Sequence, residues 1–101
     1  APAVNDFAKR YRAKYGEPAT MIAVANYAGF DVVTKAMQKA NSLDTEKVVE
    51  ATVSGKFETV WGPLIIGGQQ QYGINRQFLY PLVISEIRGG KVVDIGKVPP
   101  K

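Results

Sequence analysis

Apolar residues recur along this chain in two rhythms, a helical one up to about residue 55 and a strand-like one beyond it. Val4, Phe7, Ala8, Tyr11 and Tyr15 fall at helical spacing, which predicts a surface helix over residues 4–15 with one apolar stripe. Gly16 stands where helices commonly end, and Pro18 prevents continuation. A second helix is expected to start at Thr20, a good N-cap residue, and to stop at the polar pair Asn41-Ser42. Asp44 is the expected N-cap of a third, with Leu43 and Val48 spaced as a hydrophobic staple. In that helix Val48, Val49, Thr52 and Val53 should face inward, and Gly55 should close it.

The second helix is the stretch around which the rest must be arranged. At ~100° per residue, Asp31, Thr34, Lys35, Gln38 and Lys39 gather on one side, and Ile22, Phe30, Val33, Met37 and Ala40 on the other. Its first half is apolar nearly all round: between Met21 and Val33 only Asn26, Asp31 and the Tyr27 hydroxyl are polar. Such a helix belongs inside something, with structure on more than one side. Asn26 projects among Ile22, Phe30 and Val33, and a buried amide there would need partners, at a cost of ~1–3 kcal/mol without them. Two readings stay open: an amide bonded to neighbouring backbone, or an amide at the lip of a ligand cleft.

Beyond Gly55 the residues become β-branched and aromatic. Phe57 to Ile66 reads as a strand broken at Gly62-Pro63, followed by a turn at Gly67-Gly68 and a polar loop from Gln69 to Asn75. Phe78 to Ile87 reads as a second strand. Arg88-Gly89-Gly90-Lys91 is a two-residue hairpin turn, and a return strand over residues 92–98 ends at Pro99-Pro100. Three helices and a few strands are too little to enclose the second helix. The missing partner is a parallel sheet of the kind such helices cover. The chain is therefore expected to be part of a larger α/β protein, or to self-associate through that surface.

Composition narrows the function classes. The 101 residues suit one small domain, and 46% apolar with 22% charged residues excludes a disordered chain. The start at Ala1-Pro2-Ala3, without an initiator Met or signal peptide, suggests a processed chain or a piece of a longer one. The net charge of +4 is partly concentrated in Lys9, Arg10, Arg12 and Lys14. A nucleic-acid surface needs basic residues converging beside recognition elements. Here Phe7, Tyr11 and Tyr15 read as core contacts instead, so a solvated basic face and no nucleic-acid partner are expected. With no His and no Cys, thiolate catalysis, Ser-His-Asp machinery and most metal sites are excluded. Glu46 and Glu50 share a solvated helix face, and Gly67-Gly68 lacks the Lys-Ser/Thr of a phosphate loop. No enzyme and no cofactor are expected.

The runs Tyr15-Gly16-Glu17-Pro18, Tyr27-Ala-Gly-Phe-Asp31 and Ala36-Met-Gln-Lys-Ala-Asn-Ser42, in that order, resemble a family progression. Thr59-Val60-Trp61-Gly62-Pro63-Leu64 and Gly90-Lys91-Val92-Val93 extend it along essentially the whole chain. The family is that of the extracellular solute-binding proteins related to the leucine/isoleucine/valine-binding protein, the receptors of branched-chain amino-acid-type ABC transporters. The resemblance implies an α/β fold, here a fragment of a two-lobed type I periplasmic binding protein: three helices, then strands and a C-terminal β-hairpin. Residues 1–77 would complete the first lobe, and residues 78–101 would carry the hinge crossing and the terminal hairpin of the second. Hinge candidates are Phe78, Leu79, Tyr80, Pro81 and Leu82.

By the same resemblance, the segment entering the second helix would line the ligand cleft, giving Ile22, Val24, Ala25, Asn26 and Tyr27 as candidates. Helix N-termini also suit anionic ligand groups. The carboxylate- and ammonium-binding residues of the family would lie upstream, outside this chain. Two departures bear on the ligand: Ala28 stands where the family has an acidic residue, and Gly67 to Gly73 replaces its acidic loop. Amides, aromatic acids and other small carboxylates thus join aliphatic amino acids as ligand classes. The implied partners are a small-molecule ligand, the remainder of the same polypeptide and a membrane permease. The implied place is the periplasm or the cell exterior, free or attached to lipid or the cell surface. The alternative is a ligand-sensing domain of the same fold in a regulatory or signalling protein.

Overall fold

The computed structural model describes residues 2–100; Ala1 and Lys101 lie outside the described residues, and with Ala1 the expectation drawn from the chain's start. Three helices come first: α1 (Pro2–Tyr15), α2 (Met21–Ala40) and α3 (Thr45–Ser54). Their ends are set by local chemistry. Gly16 takes the left-handed conformation at φ +76° and donates its N–H to the Arg12 carbonyl. Thr20 caps α2, its Oγ1 accepting from the Ala23 N–H at 3.2 Å, and Asn41 ends it in the left-handed region. Asp44 caps α3 by accepting from Lys47 N–H at 3.1 Å. Leu43 is 82% exposed, so the hydrophobic staple expected with Val48 does not form.

Gly55 closes α3 for a packing reason. Its φ is −85°, which any residue adopts, but a Cβ there would run into the ring of Phe57 and lie 2.8 Å from the Ala51 carbonyl oxygen. Two strands follow, β1 (Lys56–Thr59) and β2 (Gly62–Gly67), paired antiparallel with Thr59 opposite Gly62. The expected break at Gly62-Pro63 is thus a hairpin turn at Val60-Trp61. Thr59 fixes it: its Oγ1 donates to the Gly62 carbonyl at 2.9 Å and accepts from the Trp61 N–H at 3.1 Å.

Within the expected polar loop, a single helical turn, α4 (Gln69–Tyr72), forms between left-handed Gly68 and Gly73. The strand expected from Phe78 to Ile87 is two strands. The first, β3 (Gln77–Leu79), pairs with β2 in a three-stranded sheet ordered β1-β2-β3. The second, β4 (Leu82–Arg88), pairs with β5 (Lys91–Val98) in a sheet of its own. Tyr80-Pro81 is the passage between them. The Gly89-Gly90 turn has both residues at positive φ, +55° and +75°, as a two-residue hairpin of this twist requires. One bulge interrupts the ladder near Ile84 and Ser85.

The core lies along α2. Val24, Ala28, Val32 and Ala36 form an i, i+4 stripe, each no more than 5% exposed. The first two meet Phe7 and Val60; the last two meet Ala51, Phe57 and Leu64. The inward face is therefore not the one expected. Ile22, Phe30 and Val33 point outward, with Ile22 and Phe30 about three-quarters exposed. Only part of the charged side turns toward the strands: half-buried Lys35 donates to Asp31 Oδ2 at 2.7 Å and to the Glu58 carbonyl of β1, while Gln38 and Lys39 stay exposed. In α3 it is Val48, Ala51, Thr52 and Val53 that are covered, while Val49 is exposed. The inward stripe is small, mostly Val and Ala, because neighbouring elements approach closely there. Met21, Ile22 and Phe30, bulky apolar residues of α2, stay about three-quarters exposed. The radius of gyration, 15.9 Å against ~13 Å for a compact domain of this length, reflects the same openness.

Candidate functional site

The first two turns of α2 carry the residues expected to line a cleft, and the i, i+4 core stripe decides how each is presented. Val24 belongs to that stripe and is buried against Phe7, Ala28 and Val60, so its side chain is enclosed by its own chain. Ile22, Ala25, Asn26 and Tyr27 are exposed. Asn26 is not a buried amide. Its Nδ2 donates to the Ile22 carbonyl one turn earlier at 2.9 Å, and its carbonyl oxygen is left free toward solvent. The backbone-bonded reading and an open position on the outer face hold together. Ile22, Asn26, Phe30 and Val33 make a continuous apolar face with one amide in it, and Met21 adds to its edge.

On the adjoining side, α1 lies beside α2. Phe7 approaches Tyr27 with centroids 4.8 Å apart, and Tyr11 lies tilted between Phe7 at 5.9 Å and Tyr15 at 4.6 Å. Arg10 sits over the Tyr27 ring at 6.0 Å and pairs with Asp6 at 3.0 Å. The Tyr27 hydroxyl, and then Asp6, hold the guanidinium still further above its ordinary value. Lys14 lies 5.5 Å from the Tyr15 centroid. Phe7 and Tyr11 are core contacts as expected, but Tyr15 is 58% exposed and belongs to the surface. Arg10 and Lys14 were legible only as general basic charge, since nothing in the sequence shows that Tyr27 of another helix would meet Arg10.

The expected hinge segment falls where the chain changes sheets. Phe78 and Leu79 belong to β3, Leu82 opens β4, and Tyr80-Pro81 lies between. Tyr80 stacks on Trp61 of the β1–β2 turn, with centroids 5.1 Å apart and planes 29° apart. That stack joins the two core clusters, since Trp61 borders one and Tyr80 the other. Past Pro81, the β4–β5 hairpin makes its extensive contacts only within itself. Leu82, Val83, Ile84 and Ile87 of one strand and Val92, Ile95 and Val98 of the other are all exposed. Among the described residues no three acidic side chains gather closely enough to hold a metal ion, and no helix is long and apolar enough to cross a membrane.

Comparison with known proteins gives two findings. Residues 1–91 match the family model described as "Periplasmic binding protein". The fold is also similar to the crystal structure of a leucine-binding protein, LivK, from Thermotoga maritima, with a TM-score of 0.75 at 22% identity. That match covers 99% of this chain and 27% of the leucine-binding protein. At this identity the likeness speaks for the fold.

Proposed function

This chain belongs to the periplasmic binding protein family, and from that membership we propose that it forms part of a two-lobed solute-binding receptor. The receptor takes a small amino-acid-like or carboxylate ligand between its lobes and hands it to an ABC-transporter permease. It works in the periplasm or outside the cell, free or held at the surface, by binding and release without catalysis. An amino-acid-like ligand is supported by the leucine-binding protein of similar fold.

One observation carries this reading: at Tyr80-Pro81 the chain leaves a packed body and ends in a hairpin bare on both faces. A lone two-stranded hairpin is marginal in water and needs further strands or a packing partner. A second lobe, contributed mainly by other residues of the receptor, would supply it. Residues 1–77 then belong to the first lobe and residues 78–101 to the crossing and the second. Phe78 to Leu82 form the hinge segment, where a few residues absorb the closure. The bare outer face of α2 supports the same division, being the surface that the first lobe's sheet would cover or the cleft would use. Ile22, Ala25, Asn26 and Tyr27 reach toward ligand, and buried Val24 sets the roll of the helix that presents them.

The test is a thermal-shift screen of the complete receptor against amino acids, amides and aromatic acids. A ligand-dependent rise is expected, and Asn26→Ala should weaken binding more than it lowers Tm. An unchanged Kd beside a marked loss of stability would remove Asn26 from the cleft. The 101-residue chain alone should self-associate or bind an apolar dye through α2; a compact, dye-silent monomer would contradict the division into lobes.

A further inference from the structure

The groove between α1 and the first half of α2 is built entirely by this chain, so it stands whether or not the lobed reading holds; Tyr27 is the one residue the two share. It encloses about 530 Å³ and is lined by Phe7, Arg10, Tyr11, Lys14, Tyr15 and Tyr27, with Ala23 between the helices. Three properties of its lining bear on what it could hold. Tyr11, Tyr15 and Tyr27 line it with rings tilted at 41–50° to their neighbours over buried Phe7, and Tyr15 and Tyr27 are 58% and 45% exposed. Two cations, Arg10 and Lys14, lie one helical turn apart on the same lip. Ala23 leaves room between the helices where a larger side chain would fill it.

The charges are unevenly engaged. Arg10 is partly neutralised by Asp6, which accepts from its Nε at 3.0 Å. Among the described residues no carboxylate lies within ion-pair distance of Lys14, whose ammonium rests near the Tyr15 ring. An aliphatic anion would use the cations but leave the rings idle, and a neutral aromatic would do the reverse. Ring faces, phenol hydroxyls and a positive lip together match one chemistry, a flat ring bearing a negative group.

We propose that the α1–α2 groove is a binding site for a planar aromatic carboxylate, with Arg10 and Lys14 on the carboxylate and the tyrosines against the ring. The groove discriminates by charge and flatness together. Asp6 works against binding, because its carboxylate competes for Arg10. That gives the site a signature of opposite signs: removing a cation weakens binding, and removing the anion beside it strengthens binding.

The experiment titrates the chain with benzoate, and separately with cyclohexanecarboxylate, following backbone amide shifts by NMR. Benzoate should give saturable shifts confined to residues 7–15 and 23–27, with cyclohexanecarboxylate about five-fold weaker or more. Lys14→Gln should weaken benzoate about three-fold, and Asp6→Asn should tighten it about two-fold. Unchanged α1 and α2 shifts in the ligand-free variants would show that the fold is retained, so the binding change is read directly. Absence of saturation, equal affinity for the two carboxylates, or insensitivity to both substitutions would each overturn the proposal.

Discussion

The body of this protein, residues 2–79, and its terminal hairpin, residues 82–98, are built from similar apolar residues and end up in opposite environments. Phe57 and Leu64 of β1 and β2 are buried under α2 and α3, at 5% and 2% exposure. Ile84, Ile87 and Val92 of the hairpin are as apolar, and Ile87 and Val92 remain about three-quarters exposed. Strand propensity and turn chemistry are sufficient for the hairpin's register, through Gly89-Gly90 and the Ser85–Asp94 hydrogen bond of 2.7 Å. They do nothing to cover its faces. Local sequence thus specifies both regions equally well, whereas only the body buries a core, and even there the outer face of α2 stays bare.

The sharpest way to break that contrast is to cut the same kind of side chain from each region. Leu64→Ala should destabilise the chain by about 2–4 kcal/mol, since it removes a nearly inaccessible side chain from the α2–α3 cluster. Ile87→Ala should fall within about 0.5 kcal/mol of wild type. Chemical denaturation of both variants decides it: comparable losses would mean that the hairpin is covered in solution. In a complete receptor the two costs should converge, because the hairpin would then have its lobe.

A smaller effect sharpens the same point at glycine. Gly55→Ala sets a methyl against the Phe57 ring and the Ala51 carbonyl, so it should cost about 1–3 kcal/mol. Gly96→Ala meets nothing within 4 Å and sits in the bare strand β5, so its melting temperature should stay near that of wild type. A Gly96→Ala loss as large as that of Gly55→Ala would place a neighbour against the hairpin.

Much of this fold was legible in the sequence where a single residue decides a boundary. Gly16, Thr20, Asn41, Asp44 and Gly89-Gly90 each mark an end or a turn through their own backbone or side-chain chemistry, whereas Gly55 marks one through the packing of Phe57 against it. The roll of α2 was not legible, for a physical reason. Its first half is apolar nearly all round, and large residues such as Ile22 and Phe30 weigh more in any periodicity than Ala28 and Ala36. The structure buries the small stripe because α1, α3 and the strands come close to it; Ile22 and Phe30 stay about three-quarters exposed. The Val60-Trp61 turn was missed because it holds no glycine or asparagine at its centre; a buried threonine on its rim closes it instead. At the candidate site, the cleft roles of Ile22, Val24, Ala25, Asn26 and Tyr27 came from the resemblance alone; the structure adds that Val24 is buried and the other four are exposed. The meeting of Tyr27 with Arg10 needed tertiary structure, since the two lie on different helices.

The smallest effect concerns Gly29 and is the most informative about α2. Glycine in the middle of a helix costs about 0.5–1 kcal/mol relative to alanine, through the backbone freedom lost on folding. Gly29 stands in the middle of α2, with a helical backbone and nothing within 4 Å of where a Cβ would be. Within this chain it is therefore a cost without a compensating contact. Gly29→Ala should raise the stability of the 101-residue chain by about 0.5–1 kcal/mol, read as a higher denaturation midpoint with an unchanged slope. If the outer face of α2 is covered in the complete receptor, the absent side chain at position 29 is what lets the covering surface approach. The same substitution should then be neutral or destabilising there. A gain of equal size in both contexts would show that Ile22, Phe30 and Val33 face water in the receptor too, and the burial of α2 between two layers would be lost with it.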